Sequence, residues 1–235
     1  MNSPSDAAPA KKSLLTRERI LDAAAHVLSR KGYAGTRLSD VAEVAQVQAP
    51  AIYYYFPSRD ELIEEVMWVG VFRVHQHVRE TLAALPESAS ALDRILAAVE
   101  AHLRYELQIS DYTTASIRNA GQVPEQLRTR PAAEEAAYSR IWTGLLRQAA
   151  EAGELRPGLD INVSRLLLLG SMNWAAEWWN PHTRSLEDLV RASQDMVRYG
   201  MGNPAVFGPR DTDRVQQGKQ PPGNSTGSGA DSRNH

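Results

Sequence analysis

Three consecutive tyrosines, Tyr53, Tyr54 and Tyr55, follow the small residues Ala49, Pro50 and Ala51 and stand just ahead of Arg59. Phenols and a guanidinium in this arrangement suit phosphate recognition: they donate to phosphate oxygens, while small residues at a helix tip let the backbone approach a DNA groove. The competing reading is an ordinary αα-corner with the tyrosines as half-buried packing. A second concentration of chemistry is Asn173-Trp174 followed by Trp178-Trp179, one amide and three indoles in a largely apolar stretch that also holds Glu177. Asn173 there must find a hydrogen-bond partner, internal or on a ligand. The histidines offer less. His75 and His77, two apart, point away from each other on a helix and make a poor metal pair. His102 and Glu106 lie one helical turn apart, as do His75 and Arg79, a spacing usual for surface packing. With no cysteine, no glycine-rich phosphate loop and no nucleophile elbow, disulfides and thiolate chemistry are excluded. No catalytic residue, cofactor or metal ligand is expected, so the protein reads as a non-enzyme.

The elements that must position these groups are helices. Thr36 is placed to cap a helix carrying Leu38, Val41, Ala42 and Ala45 at helical spacing. Gln46-Val47-Gln48 makes a turn, and Ala49 to Tyr55 forms a second helix with Ile52 and Phe56 inward. Pro50 is tolerated because first-turn amides have no intrahelical partner. Upstream, Thr16 is expected to cap a helix with Ile20, Ala24, Val27 and Leu28 on one face, ending at Lys31-Gly32. Downstream, Ser58 to Glu61 is a capping box opening a long helix to about Leu85. Ser90 opens the next helix. Residues 110–131 are interrupted by Pro124 and Pro131, a helix returns over 132–152, and Asp160 and Ser185 start helices over 161–179 and 186–200. No stretch has the period of a strand. The expected fold is all-α: a disordered arm over 1–12, a helix-turn-helix DNA-binding domain over 13–60, a larger helical domain for effector binding and dimerisation over 61–202, and a disordered tail over 203–235.

The 235 residues are 43% hydrophobic and 23% charged, with a formal net charge of -2. This is enough chain for one large or two small helical cores. Within 11–60 eight cationic side chains stand against five anionic ones, a modest excess lying where phosphates would be met. The N-terminus has no signal-peptide core, and the apolar stretch near 166–179 is too short to span a bilayer. The cytoplasm is the expected location.

Thr36, Val41, Ala42, Ala45, Val47, Ile52, Tyr53, Tyr55, Phe56, Arg59 and Leu62 fall in register with the helix-turn-helix pattern of the TetR (tetracycline-repressor) family of transcription regulators, which residues 14–74 resemble. The chain departs at Gln46, Gln48 and Arg59, where the family prefers Gly, Ser and Lys. The resemblance implies a repressor that binds a palindromic operator as a homodimer and is released by a hydrophobic small molecule. It places Ser39, Ala49, Pro50 and Ala51 near base edges, with Thr36, Arg37, Tyr53, Tyr54, Tyr55 and Arg59 along phosphates. Gln48 can also hydrogen-bond nucleic acid.

Farther on, Gly170-Ser-Met-Asn-Trp174 with Trp178, Trp179, Asn180 and Pro181 is similar to a segment of TetR-type regulators of fatty-acid and steroid degradation, several of which respond to acyl-coenzyme A thioesters. A thioester needs an apolar tunnel and cations for its phosphates. Tyr105, Tyr138, Trp142, Asn173, Trp174 and Trp178 are expected to line the tunnel, with Arg118 toward the phosphates. The other face of the 161–179 helix, Leu169, Met172, Ala176 and Trp179, is expected to dimerise together with Leu189 and Met196. The rival effector is a lipophilic drug or aromatic acid, as in efflux regulators, which would need the aromatics without the arginines. The rival without any effector predicts solid packing in the 90–180 region.

Overall fold

The structure, a computed structural model, describes residues 7–109 and 111–207. Among the described residues eleven α-helices run in chain order: α1 (Ala7–Gly35), α2 (Leu38–Ala45), α3 (Ala49–Tyr55), α4 (Arg59–Ala83), α5 (Ala91–Arg104), α6 (Asp111–Asn119), α7 (Thr129–Glu151), α8 (Ile161–Asn173), α9 (Ala175–Trp178), α10 (Leu186–Asp195) and α11 (Pro204–Phe207). One antiparallel bridge, Leu155 to Gly202, is the only β pairing among the described residues.

Caps written into the sequence start several of these helices. Ser58 accepts from the Glu61 amide at 3.1 Å and Ser185 from the Asp188 amide at 3.1 Å. Asp160 accepts from Asn162 and Val163 at 2.8 and 3.0 Å. The N-terminus of α5 has a double cap: Ser90 accepts from Asp93, and the Glu154 carboxylate accepts from Leu92 at 2.6 Å. Two expected caps are not caps. α1 begins at Ala7, so Thr16 lies inside it and donates to the Lys12 carbonyl; alanines with a proline in the first turn are strong enough to carry the helix back into the expected arm. Residues 1–6 and 208–235, where the rest of that arm and most of the expected tail fall, lie outside the described residues. The N-cap of α2 is Arg37, with no side-chain bond.

Two cores form. The first joins α1, α2, α3, the N-terminal half of α4 and α6 through Ile20, Leu28, Val41, Ile52, Leu62, Met67, Tyr112 and Ala115. The second joins the rest of α4 with α5, α7, α8 and α10 around Val78, Ile95, Trp142, Leu146, Met172 and Leu189. α4 and α6 therefore link the small N-terminal unit to the larger bundle. Gly70 allows their close approach, since a Cβ there would lie 2.5 Å from the Tyr112 carbonyl oxygen.

Candidate functional site

The recognition helix α3 is held by what it buries. Ile52 and Phe56 are buried, and Val47 packs against the same core at the corner. Gln46 takes the left-handed conformation (φ 54°, ψ 46°) that a glycine would adopt more readily. What α3 leaves outside is Pro50, Tyr53 and Tyr54, the last 82% exposed. Tyr55 is half-buried and meets Tyr54 edge-on, their ring centroids 5.0 Å apart. Arg37, Ser39 and Gln48 are exposed, and Ala49 and Ala51 are half-buried.

Thr36 and Arg59, expected along phosphates, face inward. Thr36 is 2% exposed and its hydroxyl donates to the Gly32 carbonyl at 2.8 Å. Arg59 donates through Nε to the Thr36 carbonyl at 2.8 Å and through its terminal nitrogen to the Tyr33 carbonyl, and its guanidinium lies over the Tyr33 ring. The carbonyls freed where α1 breaks at Gly32 (φ 70°) need donors, and these two side chains supply them. They build the corner that presents α3, and Arg59 spends three of its five N–H donors there, on the carbonyls of Thr36 and Tyr33 and on Asp60.

The larger domain is not solidly packed. A cavity of about 600 Å³ lies between α4, α5, α6, α7 and α8, lined by Val71, Val74, His102, Ile117, Tyr138, Leu166, Leu169 and Asn173 among others. A second cleft of about 600 Å³ opens beside it between the end of α1, α6 and the α8–α9 junction. It carries Arg30, Lys31, Arg118, Asn119 and Trp174, and it shares Ile117, Gly170 and Asn173 with the cavity. Both volumes suit a small-molecule site.

Of the expected ligand residues, Tyr138 and Asn173 line the cavity, and Arg118, Asn173 and Trp174 line the cleft. Tyr105, Trp142 and Trp178 line neither. Trp142 is fully buried in the second core, Tyr105 packs against that core with its ring 5.1 Å from His77, and Trp178 is 48% exposed. Arg118 is already engaged: it donates to Glu177 at 2.9 Å, to the Ala176 carbonyl at 2.8 Å and to the Ser29 carbonyl at 3.2 Å.

α8 has three faces, where the sequence reading allowed two. Ser164, Leu168 and Met172 point into the core; Arg165, Leu169 and Asn173 face the cavity; Val163 and Leu167 face outward. Two residues of the expected dimer face are thus taken by the chain's own core. Met172 and Leu189 are buried within the chain, Leu169 and Trp179 pack partly against its core, and Ala176 is half-buried. Met196, 65% exposed, is the one of the six that stays outside. The apolar surface left uncovered holds Val163 (50% exposed), Leu166 (59%), Leu167 (70%) and Trp174 (65%). Two apolar faces of comparable strength cannot be ranked by periodicity alone; the bundle chose the one with Leu168 and Met172.

His102 and Glu106 were expected as surface packing and are buried instead. His75 is also buried and meets Glu134 at 2.5 Å across helices. Among the described residues no cluster of three metal-ligating side chains forms. An unforeseen ion network links three helices: Glu65 of α4 takes hydrogen bonds from Arg17 of α1, at 3.0 Å, and Arg130 of α7. Burial alone would raise the Glu65 carboxyl, but the two guanidiniums hold it below its ordinary value. Only contacts across 48 and 65 residues could reveal this.

The family model for bacterial regulatory proteins of the tetR family matches residues 20–66, and the model for the tetracyclin repressor-like C-terminal domain matches 88–201. Together they span most of the chain, which belongs to the TetR family of transcription regulators: it is a DNA-binding regulator built on a helix-turn-helix. Among curated relatives, the fatty acid metabolism regulator protein of Bacillus subtilis strain 168 is 24% identical over 76% of this chain and 90% of its own. Among solved structures, AibR in complex with isovaleryl coenzyme A and operator DNA has a TM-score of 0.70 at 20% identity, covering 77% of this chain and 97% of that one. The FadR regulator of Bacillus subtilis in complex with stearoyl-CoA has a TM-score of 0.66 at 21% identity, covering 78% and 98%. At these identities the structures establish the fold.

Proposed function

We propose that the protein is a cytoplasmic repressor that binds a palindromic operator as a homodimer and is released by an acyl-coenzyme A thioester. The observation that carries this reading is the pair of joined spaces. A largely apolar cavity suits an acyl group, and the adjoining cleft with Arg30, Lys31 and Arg118 suits the phosphates of coenzyme A. Asn173, shared by both, stands where the thioester would pass. The named ligands of AibR and FadR, isovaleryl coenzyme A and stearoyl-CoA, point the same way. A lipophilic drug would have no use for the cationic cleft.

Operator contact is assigned to Gln48, Ala49, Pro50, Ala51 and Ser39 at base edges and to Arg37, Tyr53 and Tyr54 at phosphates. One helix-turn-helix reads a half-site, so two must sit about 34–36 Å or a further turn apart. The dimer is assigned to the exposed α8 face with Trp178 and Met196.

Coupling runs through α6. Its Thr113, Ser116 and Ile117 line the cavity, while other residues of the same helix hold α1. Tyr112 donates to Asp22 at 2.7 Å, His26 meets Asp111 at 3.1 Å, and the Tyr33 amide donates to Asn119 Oδ1 at 2.7 Å. A ligand that moves α6 must therefore move the DNA-binding unit. The ligand shifts the equilibrium only by its differential affinity for the two arrangements.

The test is a titration of the protein bound to an operator selected from random DNA, using decanoyl-CoA, decanoic acid, coenzyme A and a lipophilic cation, with Arg118→Ala alongside. Release by the thioester alone, weakened in the variant, supports the reading. Release by the acid or cation, indifferent to Arg118, overturns it.

A further inference from the structure

The cavity wall carries a cation that an apolar acyl chain does not require. Asn173 and Gly170 of α8 open the cavity onto the cationic cleft. Nearer the start of the same helix, Arg165 lines the cavity but not the cleft. Arg165, Leu169 and Asn173 follow one another at intervals of four on α8, a spacing that sets them in one row along the wall. The eight residues between the first and the last span about 12 Å at 1.5 Å of rise each. An acyl chain that enters past Asn173 and follows this row over Leu169 comes to the guanidinium.

Arg165 is half-buried, and its Nη1 donates to the Ser139 hydroxyl oxygen of α7 at 2.5 Å. Among the described residues no carboxylate comes within salt-bridge distance of it. Arg17, Arg59 and Arg104, also half-buried, meet carboxylates at 3.0, 3.0 and 2.8 Å. Glu135, one turn before Ser139, is the acidic group in the cavity wall; burial raises its carboxyl, and the cation that opposes the rise is Arg128. The histidine of the wall faces other groups: His102 Nδ1 lies 2.8 Å from the Tyr138 hydroxyl, and the π-helical turn Tyr105–Ile109 sets Glu106 2.9 Å from Nε2. One bond to Ser139 leaves Arg165 four of its five N–H donors. A planar guanidinium matches a carboxylate best, both oxygens at once.

We propose that Arg165 is a carboxylate subsite, so that the effector carries an anionic carboxylate at the far end of its acyl group, as the monothioester of a dicarboxylic acid does. The proposal rests on the thioester reading only for where the other end of the ligand lies. Ser139 holds the guanidinium across the gap between α7 and α8, and Leu169 with its apolar neighbours covers the methylene chain between the two polar ends. A ligand ending in a methyl group leaves the guanidinium without a counter-charge in a half-buried wall.

The test measures direct binding to the full-length protein by calorimetry. The probes are decanoyl-CoA, the mono-CoA thioesters of octanedioic, decanedioic and dodecanedioic acids, the methyl ester of each of these thioesters, and decanoic acid. At least one dioic thioester should bind about 10- to 100-fold more tightly than its own methyl ester, the factor a charge-assisted pair contributes. Arg165→Met should remove that preference while still binding decanoyl-CoA, which shows that the variant is folded. Equal binding of the dioic thioesters and their methyl esters, or a preference that survives Arg165→Met, overturns the proposal. Decanoic acid bound through Arg165, with no thioester bound, supports this subsite and overturns the thioester reading. Failure of every probe to bind overturns both.

Discussion

Replacing Arg59 with alanine separates a phosphate contact from a structural clamp. The Arg59 side chain is 29% exposed, and it ties the start of α4 to the carbonyls of Tyr33 and Thr36 at the α1–α2 corner. Hydrogen bonds from a charged group contribute ~1.5–3 kcal/mol each. Discounting for partial exposure, the substitution should cost about 2–4 kcal/mol, a fall in melting temperature of about 5–15 °C. The assay pairs thermal melting with the salt dependence of operator binding. Each lost phosphate contact lowers the magnitude of the log–log salt slope by about 1. Arg59→Ala should lower stability and, at temperatures where it is folded, keep the wild-type slope. Arg37→Ala, at an exposed N-cap, should do the reverse. An Arg59→Ala protein with unchanged melting and a slope reduced by about 1 would refute the clamp.

Leu167→Glu should leave the fold intact, because that side chain is 70% exposed, and yield monomers in sedimentation; Met172→Glu, at a 2% exposed position, should unfold the bundle instead. Gly70→Ala should destabilise by ~1–3 kcal/mol and weaken operator binding by forcing α6 off α4, whereas Gly144→Ala, with nothing within 4 Å of the added carbon, should be neutral or stabilising by up to about 1 kcal/mol in thermal melts. Because the Glu65 carboxyl is held below its ordinary 4.5, its contribution is fully present above that pH and is lost as pH falls through the depressed value. Glu65→Gln should accordingly flatten the acid limb of the melting-temperature profile; an unchanged limb would show that other carboxylates set it.

The helix-turn-helix was legible because its signals are local: Val41, Ala45, Ile52 and Phe56 repeat at helical spacing, and Ser58 caps within three residues. The caps at Ser90, Asp160 and Ser185 were legible for the same reason. What the sequence hid depends on partners far along the chain. Arg59 reads as an exposed cation until the carbonyls at 33 and 36 are placed beside it. Glu106 reads as a surface charge until a π turn swings it under His102. α8 offers apolar residues all round, so only the packing of α5 and α7 decides that Met172 goes in and Leu167 stays out. Trp142 and Trp178, both expected against a ligand, went one to the core and one to the surface because indoles serve all three roles equally well.

The central claim is that occupancy of the cavity moves the recognition helices through α6, and the absence of cysteine makes a direct measurement available. A spin label on Glu43→Cys, an exposed site on α2, reports the separation of the two DNA-binding units by pulsed dipolar spectroscopy. The account predicts one narrow distance on operator DNA, a different one with a bound acyl thioester, and no change with coenzyme A alone. It also predicts that Asn119→Ala, which cuts the bond from α6 to Tyr33, reduces the shift without abolishing thioester binding. A thioester that binds and leaves the interlabel distance at its operator-bound value, or a protein that shows no intermolecular distance at all, would contradict it.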